Sequence, residues 1–497
     1  MNTTALNGIS SDTILTVRPS DTPSVDAFGR QRISQPFGLF DNKFLSSKNH
    51  LLWDERLTGC IMIHGTVTGT FEVGQTFTGS TSEYHGVIAS VDNPTSFTYS
   101  TIDNSFTVGE TITTATGSAV ITSINTGTHV EYQYYRASVA LKVGTLQGQK
   151  AIRQTFRYFP YISGYSQLVN TTQVFNEPKI GLKQTVMYGD NLNGIGIVQD
   201  ELITKLLIRS NTSGVPVDSL LAQSDWNLDN LSGNGVEHGN PSGVKLDITK
   251  NQIQTLDFQW LGVGRIRCGF NIDGKLIYVH EFNHATLASG VYMRTPTLPI
   301  RYEIENVSAT ASPSSLEQIC AAVASEGGYA IPGFEFSVSH GITERSLADG
   351  VRTPILAIRL KNASENGGIP VRNTLKLIDS GLFARAADVY FELVHIHEMR
   401  SFTGTWISID DSSAAMISKD ITALTAHHIH EIEGAMVATG TGMNAGATDV
   451  INTSIISNHI YLSQDIDSEL SEMFVIYATS RFGAGYASAH ISWIELE

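Results

Sequence analysis

Large apolar side chains alternate with polar ones along much of the chain, most clearly at its centre. They occupy nearly every second position of residues 266–272 and again of residues 276–282, and Asp273 and Gly274 separate the two runs. Side chains spaced by two lie on one face of a β-strand, and an Asp-Gly pair readily adopts the positive φ angles of a type I′ turn. The pattern therefore predicts a β-hairpin whose apolar face packs against a second sheet.

Shorter runs of the same kind continue to the end of the chain. We expect strands at residues 136–143, 154–161, 183–188, 194–198, 202–209, 334–338, 355–360, 389–397, 473–477 and 489–494. The chain has 44 glycines and only 16% charged residues, which favours short strands and tight turns over long helices. The predicted fold class is all-β. We expect a β-sandwich or jelly-roll body at 131–340 and a C-terminal β-region at 341–497, which is either separate or part of the same body.

Residues 61–130 differ from this pattern because they contain an internal repeat. The segment 71–78 is echoed by 106–113, and 87–91 is echoed by 120–124, with glycine-marked turns between threonine-rich runs. Two copies of a β-unit of about 35 residues are too few for a solenoid. We therefore predict a small tandem β-repeat domain inserted into the main body.

The first 60 residues predict an arm followed by a docking segment. Residues 1–24 are polar and offer little to bury, whereas the next twenty contain four phenylalanines on backbone broken by proline and glycine. Such a segment cannot form one regular element, so its aromatic rings dock into a surface supplied by this chain or by a neighbour. We hypothesise a clamp on a neighbouring subunit, with these candidate interface residues: Phe28, Arg30, Phe37, Phe40, Phe44 and Trp53.

Composition argues against several classes of partner. The formal net charge is −16, from 48 acidic and 32 basic residues, so the chain as a whole repels nucleic acid and anionic membranes. Its apolar runs are too short to span a bilayer, and its first residues lack the pattern of a signal peptide. The three cysteines are widely spaced, which is typical of folding in a reducing cytoplasm. We expect no direct nucleic-acid partner and no membrane insertion.

Residues 280–284 match the His-Glu-x-x-His pattern of zinc proteases. That motif depends on a helix, which places two histidines four residues apart on one face. Here the motif ends a strand of the predicted hairpin, where Glu281 would point away from His280. We interpret it as a strand end and a loop histidine, and we expect no catalytic residue and no cofactor.

A second group of histidines lies near the C-terminus. His395 and His397 share one strand face, and residues 427–430 add His428 and His430. Imidazoles suit transition metals, and a symmetry axis that gathered several copies could complete such a site. Because no carboxylate or cysteine completes a recognised spacing, hydrogen-bonded surface or interface histidines are the preferred interpretation, and no metal is assigned.

Several motifs resemble a family of virion structural proteins from tailed bacteriophages. The segments that carry the resemblance cover parts of 25–60 and 135–340; they are 26–30, 36–41, 157–161, 224–229, 258–265 and 278–284. The resemblance implies a non-enzymatic virion component, assembled in the host bacterial cytoplasm, that contacts itself and other virion proteins. We expect the tail, neck or baseplate periphery, and the alternative is a capsid decoration or vertex protein.

A carbohydrate-binding or sugar-cleaving receptor module is the remaining alternative, because sandwich folds serve lectins and hydrolases alike. Tyr132, Tyr134 and Tyr135 are aromatic side chains that could stack on sugars of a host-surface glycan. Aromatic residues of this kind pack in interfaces more commonly than they bind glycans.

Overall fold

A computed structural model describes residue 26 and residues 36–49, 52–101, 106–125, 127–327, 333–437, 447–451, 461–466 and 472–496. These residues form two β-rich bodies with separate hydrophobic cores, one before residue 327 and one after residue 333. The all-β fold with a sandwich body is confirmed. Among the described residues no helix is long and apolar enough to cross a membrane.

The first body contains strands β1 to β21. In chain order they are Phe37–Lys43, Trp53–His64, Thr68–Gly69, Thr76–Gly79, His85–Asn93, Ser96–Thr101, Thr111–Thr113, Gly117–Asn125, Thr128–Gln133, Ser138–Val143, Lys150–Thr155, Gln167–Val174, Leu182–Gly189, Gly194–Asp200, Ile203–Ser210, Val217–Ala222, Gln252–Phe258, Ile266–Ile272, Lys275–Phe282, Ile300–Asn306 and Ser314–Ser325. Short 3₁₀ turns lie at Tyr134–Arg136, Gln223–Asp225 and Val236–His238.

Two antiparallel sheets pack face to face in this body. One has the order β19-β18-β17-β12-β21-β10-β9, and β1 pairs with the part of β21 that β10 leaves free. The other runs β16-β15-β14-β13-β20-β11-β2 and continues into the repeat strands. Side chains from both sheets, such as Leu256 and Tyr302, belong to one core. The N-terminal segment thus completes a sheet of its own chain.

The repeat strands close on β2, which pairs with β6 along one edge and with β8 along the other. The two copies make the same backbone hydrogen bonds: Gly74 N–H donates to Ile88 O, and Gly109 N–H donates to Ile121 O. Phe77 of the first copy is packed among aromatic rings inside this closed ring of strands. The internal repeat is therefore also a structural repeat. Strand β2 connects it to the main sheet, because β2 pairs with β11 as well as with the repeat strands.

The second body contains strands β22 to β33. They are Gly333–Ser339, Arg345–Leu347, Arg352–Leu360, Thr374–Arg385, Asp388–Thr403, Ile407–Ser408, Ala415–Ser418, Ala423–Val437, Ala447–Ile451, Tyr461–Leu462, Met473–Arg481 and Gly485–Leu496. They form two six-stranded sheets, with the orders β22-β33-β25-β30 and β27-β28-β24-β32-β26-β29; β23 joins β33 and β31 joins β25. Leu382 and Trp493 of one sheet and Phe391 and Ile476 of the other share a core, which makes this body a second sandwich.

The central hairpin is confirmed. Strands β18 and β19 pair antiparallel, and the turn residues Asp273 and Gly274 have φ angles of +50° and +76°. The expected strand at 154–161 is wrong beyond Thr155, where β11 ends. Pro160 removes a hydrogen-bond donor from this stretch, and Phe159 makes only an isolated bridge to Leu298.

Polar contacts join the two bodies. Arg56 forms an ion pair with Asp465 at 2.8 Å, and the Ile466 N–H donates to Asp54 Oδ2 at 2.9 Å. On a neighbouring part of the junction, Arg372 approaches the fully buried Asp190 at 2.8 Å. The residues 461–466, which belong to the second body, therefore reach back onto strand β2 of the first.

Candidate functional site

Two adjacent strands of the second body bring three potential ligand side chains together. His395 and His397 lie on one face of β26, because residues two apart in a strand point the same way. Strand β32 pairs with β26 in the register His395↔Phe474 and Ile396↔Met473. Glu472 directly precedes β32, so this register places its carboxylate beside both imidazoles.

The three side chains form a compact, largely buried cluster. His397 Nδ1 donates to Glu472 Oε1 at 2.6 Å, His395 Nε2 lies 3.6 Å from the same oxygen, and the two ring centroids are 4.0 Å apart. The Ser463 N–H donates to the other carboxylate oxygen at 3.1 Å. Burial opposes ionisation of Glu472, but the facing His395 and His397 imidazoles outweigh it and lower the pKa of this carboxyl to about 2. The cluster therefore presents a carboxylate to two imidazoles.

The cluster lines a cleft of about 590 Å³ between the two bodies. The opposite wall comes from the first body: backbone and side chains of residues 38–41, Leu52, Phe156 and Arg157. The Phe156 ring lies 5.9 Å from the His397 ring, and the Arg157 guanidinium lies 3.8 Å above the Tyr461 ring. Any group bound by the cluster would therefore also face strand β1.

The structure settles the placement of two further predicted residues. Phe44 and Trp53 are 1% and 2% exposed and belong to the core of the first body. The expectation that they clamp a neighbouring subunit is therefore corrected, because this chain supplies the surface into which they dock. Phe37 and Phe40 are partly buried against the same core. Phe28 and Arg30 lie outside the described residues.

The His-Glu-x-x-His segment behaves as the strand interpretation predicts. His280 is in β19, where its Nδ1 accepts a hydrogen bond from the Asn227 N–H at 3.1 Å. His284 follows the strand and donates to Gly264 O at 2.9 Å. Glu281 pairs with Arg265 at 3.2 Å. Among the described residues, the only His, Cys, Asp and Glu side chains grouped closely enough to hold a metal ion are His395, His397 and Glu472.

Sequence reasoning identified two members of this cluster and missed the third. Glu472 lies 75 residues after His397, and no short spacing links them. The backbones of His428 and His430 lie in β29, whereas their side chains lie outside the described part of the chain. The usable signal was the strand pattern at 389–397 and 473–477, but it does not give the pairing between these strands.

Five of the segments quoted in the sequence analysis contact one another in the first body; they are 36–41, 157–161, 224–229, 258–265 and 278–284. Arg157 donates to Leu39 O at 2.9 Å, and the Phe40 and Phe159 rings are 5.0 Å apart. The Trp260 N–H donates to the Tyr161 hydroxyl at 3.0 Å. The hydrogen bonds from Asn227 to His280 and from His284 to Gly264 add the segments 224–229 and 278–284, whereas residues 27–30 lie outside the described part of the chain. Together they fasten the N-terminal strand and the central hairpin to one sandwich.

An exposed aromatic pair lies at the 3₁₀ turn that joins β9 to β10. The side chains of Tyr134 and Tyr135 are 71% and 97% exposed, and their rings pack edge to face at 5.3 Å. Tyr132 lies 6.4 Å from Tyr134, and its hydroxyl donates to Phe44 O. The turn therefore exposes two aromatic side chains to solvent, and the neighbouring Tyr132 is held in place by its hydrogen bond to Phe44.

No protein-family model and no curated protein matches the chain. Solved structures with partial similarity include the Emp47p carbohydrate recognition domain (TM-score 0.25, 12% identity, 40% of this chain and 86% of that one). A legume lectin-like domain from Entamoeba histolytica has a TM-score of 0.24 and 9% identity, over 39% of this chain and 85% of that one. A glycosyl hydrolase family protein from Mycobacterium fortuitum has a TM-score of 0.29 and 10% identity, over 57% of this chain and 99% of that one. At these scores neither ligand nor activity transfers to this chain.

Proposed function

We propose that this chain is a non-enzymatic structural component of a tailed-phage particle, located at the tail, neck or baseplate periphery and assembled through contacts between subunits. The observation that carries the proposal is that five of the segments that resemble virion structural proteins contact one another within one sandwich. Arg157, Tyr161 and Trp260 are used for packing and backbone hydrogen bonds that hold β1 and the hairpin in place. Residues that maintain a scaffold are what a building block of a particle requires.

The arm that precedes β1 is the segment we assign to contacts with a neighbouring subunit. Residues 1–24 are polar and Phe28 and Arg30 follow them, whereas the later aromatics of the segment are engaged within this chain. Removing residues 1–35 leaves β1 and its pairing with β21 intact. The truncation also removes the buried Asp26, whose carbonyl accepts a hydrogen bond from Arg265 at 3.5 Å, so the test of assembly includes a comparison of the two folds.

The experiment is to purify particles and measure the chain against the major capsid protein by quantitative mass spectrometry. We expect a fixed whole-number ratio for the full chain and a marked loss of incorporation for the truncated one, with matching circular dichroism spectra of the two free proteins. Absence of the full chain from purified particles would overturn the proposal. Normal incorporation of the truncated chain would overturn the role of the arm alone.

Electron cryomicroscopy of the same particles separates the two locations. Density for the 54.0 kDa chain on the tail, neck or baseplate supports the preferred assignment. Density on the capsid lattice or at a vertex supports the alternative, a protein that decorates the head and binds the major capsid protein.

Glycan binding is a second candidate, favoured by the exposed Tyr134 and Tyr135 pair. Aromatic faces stack on the apolar faces of sugar rings and cost little conformational entropy when their base is rigid. We expect host-surface polysaccharide to bind the wild-type protein and to bind Tyr135→Ala at least about tenfold more weakly. Phe482→Ala is the matched control, because Phe482 is 90% exposed in a turn of the second body. Equal affinity of the wild type and Tyr135→Ala would exclude this surface as the glycan site.

A further inference from the structure

We propose that His395, His397 and Glu472 bind one divalent first-row transition-metal ion, with its open coordination positions facing the cleft between the two bodies. This inference is independent of the proposed virion role. It depends on the positions of three side chains, on the surroundings of the carboxylate and on the cleft.

The donor set matches the ligands that such ions take. Two imidazoles and one carboxylate occur in zinc sites that keep a fourth position open, and also in iron sites of oxygenases. Here the two imidazole nitrogens and the carboxylate oxygen all lie within 4.8 Å of one another. A single ion can therefore be reached by all three without moving a strand.

The distances leave room for metal bonds after a small adjustment. Bonds of about 2.1 Å at tetrahedral angles separate ligand atoms by about 3.4 Å. His395 Nε2 is 3.6 Å from Glu472 Oε1, close to that separation, whereas His397 Nδ1 is 2.6 Å away because it donates a hydrogen bond. Metal binding replaces that shared proton, so the distance between His397 Nδ1 and Glu472 Oε1 increases by less than about 1 Å.

The carboxylate is held by a group that does not compete for the metal. The Ser463 N–H donates to Oε2, while Oε1 faces both imidazoles. Outer contacts of this kind fix the orientation of a ligand and strengthen binding. Tyr461 and Asp465 of the same short segment contact Arg157 and Arg56 of the first body. A bound ion would therefore stiffen the junction between the bodies.

The test uses the full chain, zinc as the probe and magnesium as a hard-cation control. After dialysis against chelator, we expect isothermal titration to show one zinc equivalent whose affinity falls at least about tenfold in His397→Ala and in Glu472→Gln. Glu472→Gln retains the size of the side chain and an oxygen that can accept from Ser463. His238→Ala removes an exposed histidine in a loop of the first body and should bind zinc as the wild type does.

X-ray absorption of the zinc-loaded wild type provides a measurement that needs no variant. We expect a first shell of nitrogen and oxygen with the outer-shell scattering of two imidazoles. We also expect binding to weaken in acid, because an imidazole binds metal only when it is neutral. Three results would overturn the proposal: no stoichiometric zinc in the wild type, unchanged zinc affinity in both folded ligand variants, or a first shell without imidazole.

Discussion

His280 is a buried base whose environment makes the stability of the fold depend on pH. Burial lowers the pKa of this imidazole to about 4, against the opposing charge of Glu281. Between pH 6.5, the usual pKa of histidine, and about pH 4, His280 is protonated in the unfolded chain but neutral in the folded chain. The contribution of His280 to the free energy of unfolding is therefore fully present above pH 6.5. It is lost as the pH drops through this window, by up to about 3 kcal/mol.

The measurement is the urea dependence of unfolding at pH 7.5 and pH 4.5 for the wild type and His280→Gln. Glutamine keeps an acceptor for the Asn227 N–H but does not titrate. We expect the variant to lose less stability on acidification than the wild type. Burial also lowers the pKa values of His284 and His340, so part of the dependence should remain. Identical losses in the two proteins would show that His280 does not contribute.

Asp257 and Arg267 form an ion pair whose side chains are both 0% exposed. The Tyr278 hydroxyl also donates to Asp257 at 2.7 Å, and the Arg267 guanidinium lies 4.2 Å above the Tyr278 ring. Removing one partner leaves a buried charge uncompensated, which costs about 3–5 kcal/mol. We expect Asp257→Ala to be destabilised by about that amount in urea unfolding.

The matched variant for this pair removes both charges. Asp257→Leu combined with Arg267→Met should be less destabilising than Asp257→Ala, because apolar replacements leave no unpaired charge. A surface control is Glu131→Gln, whose partner Lys142 is partly exposed and whose loss should change stability by less than about 0.5 kcal/mol. A double variant as unstable as the single one would show that packing, not charge, sets the cost.

At the scale of elements, the turn between β18 and β19 determines the register of the central hairpin. Gly274 has a φ of +76°, and a Cβ built there meets no atom within 4 Å. Any effect of a side chain at this position therefore comes from backbone strain. We expect Gly274→Val to lose about 1–2 kcal/mol, the cost of the left-handed conformation for an L-residue, measured by thermal unfolding.

Gly290 is the control for that turn, because a Cβ there also meets nothing and its φ is outside the left-handed region. Gly290→Val should leave the melting temperature nearly unchanged. If both variants lose the same stability, the loss reflects the added side chain rather than the turn conformation.

The elements also show which parts of the fold a sequence reveals. Strands β18 and β19 were predictable because alternation and the Asp-Gly turn are local signals. Strand β21 was not predicted, since its alanines and serines have low strand propensity and its conformation depends on pairing with β1, β10 and β12. The His395, His397 and Glu472 cluster depends in the same way on the register of β26 with β32. Non-local pairing is what the sequence pattern does not specify.

At the scale of the molecule, the two sandwiches have separate cores but are joined by charged contacts. Arg372 of the second body pairs at 2.8 Å with Asp190, which is fully buried in the first. Removing the guanidinium leaves that carboxylate without its cation, so Arg372→Ala should weaken the coupling of the bodies by about 3–5 kcal/mol. Differential scanning calorimetry should then show that the unfolding transitions of the two bodies are further apart in temperature in Arg372→Ala than in the wild type.

Arg385→Ala provides the control, because Arg385 pairs with Glu344 on the surface of the second body and does not reach the first. Its loss should leave the calorimetric trace unchanged, since exposed ion pairs contribute little. If Arg372→Ala also unfolds as the wild type does, the pair with Asp190 does not couple the two bodies, and the remaining junction contacts, among them the Arg56–Asp465 ion pair, hold them together.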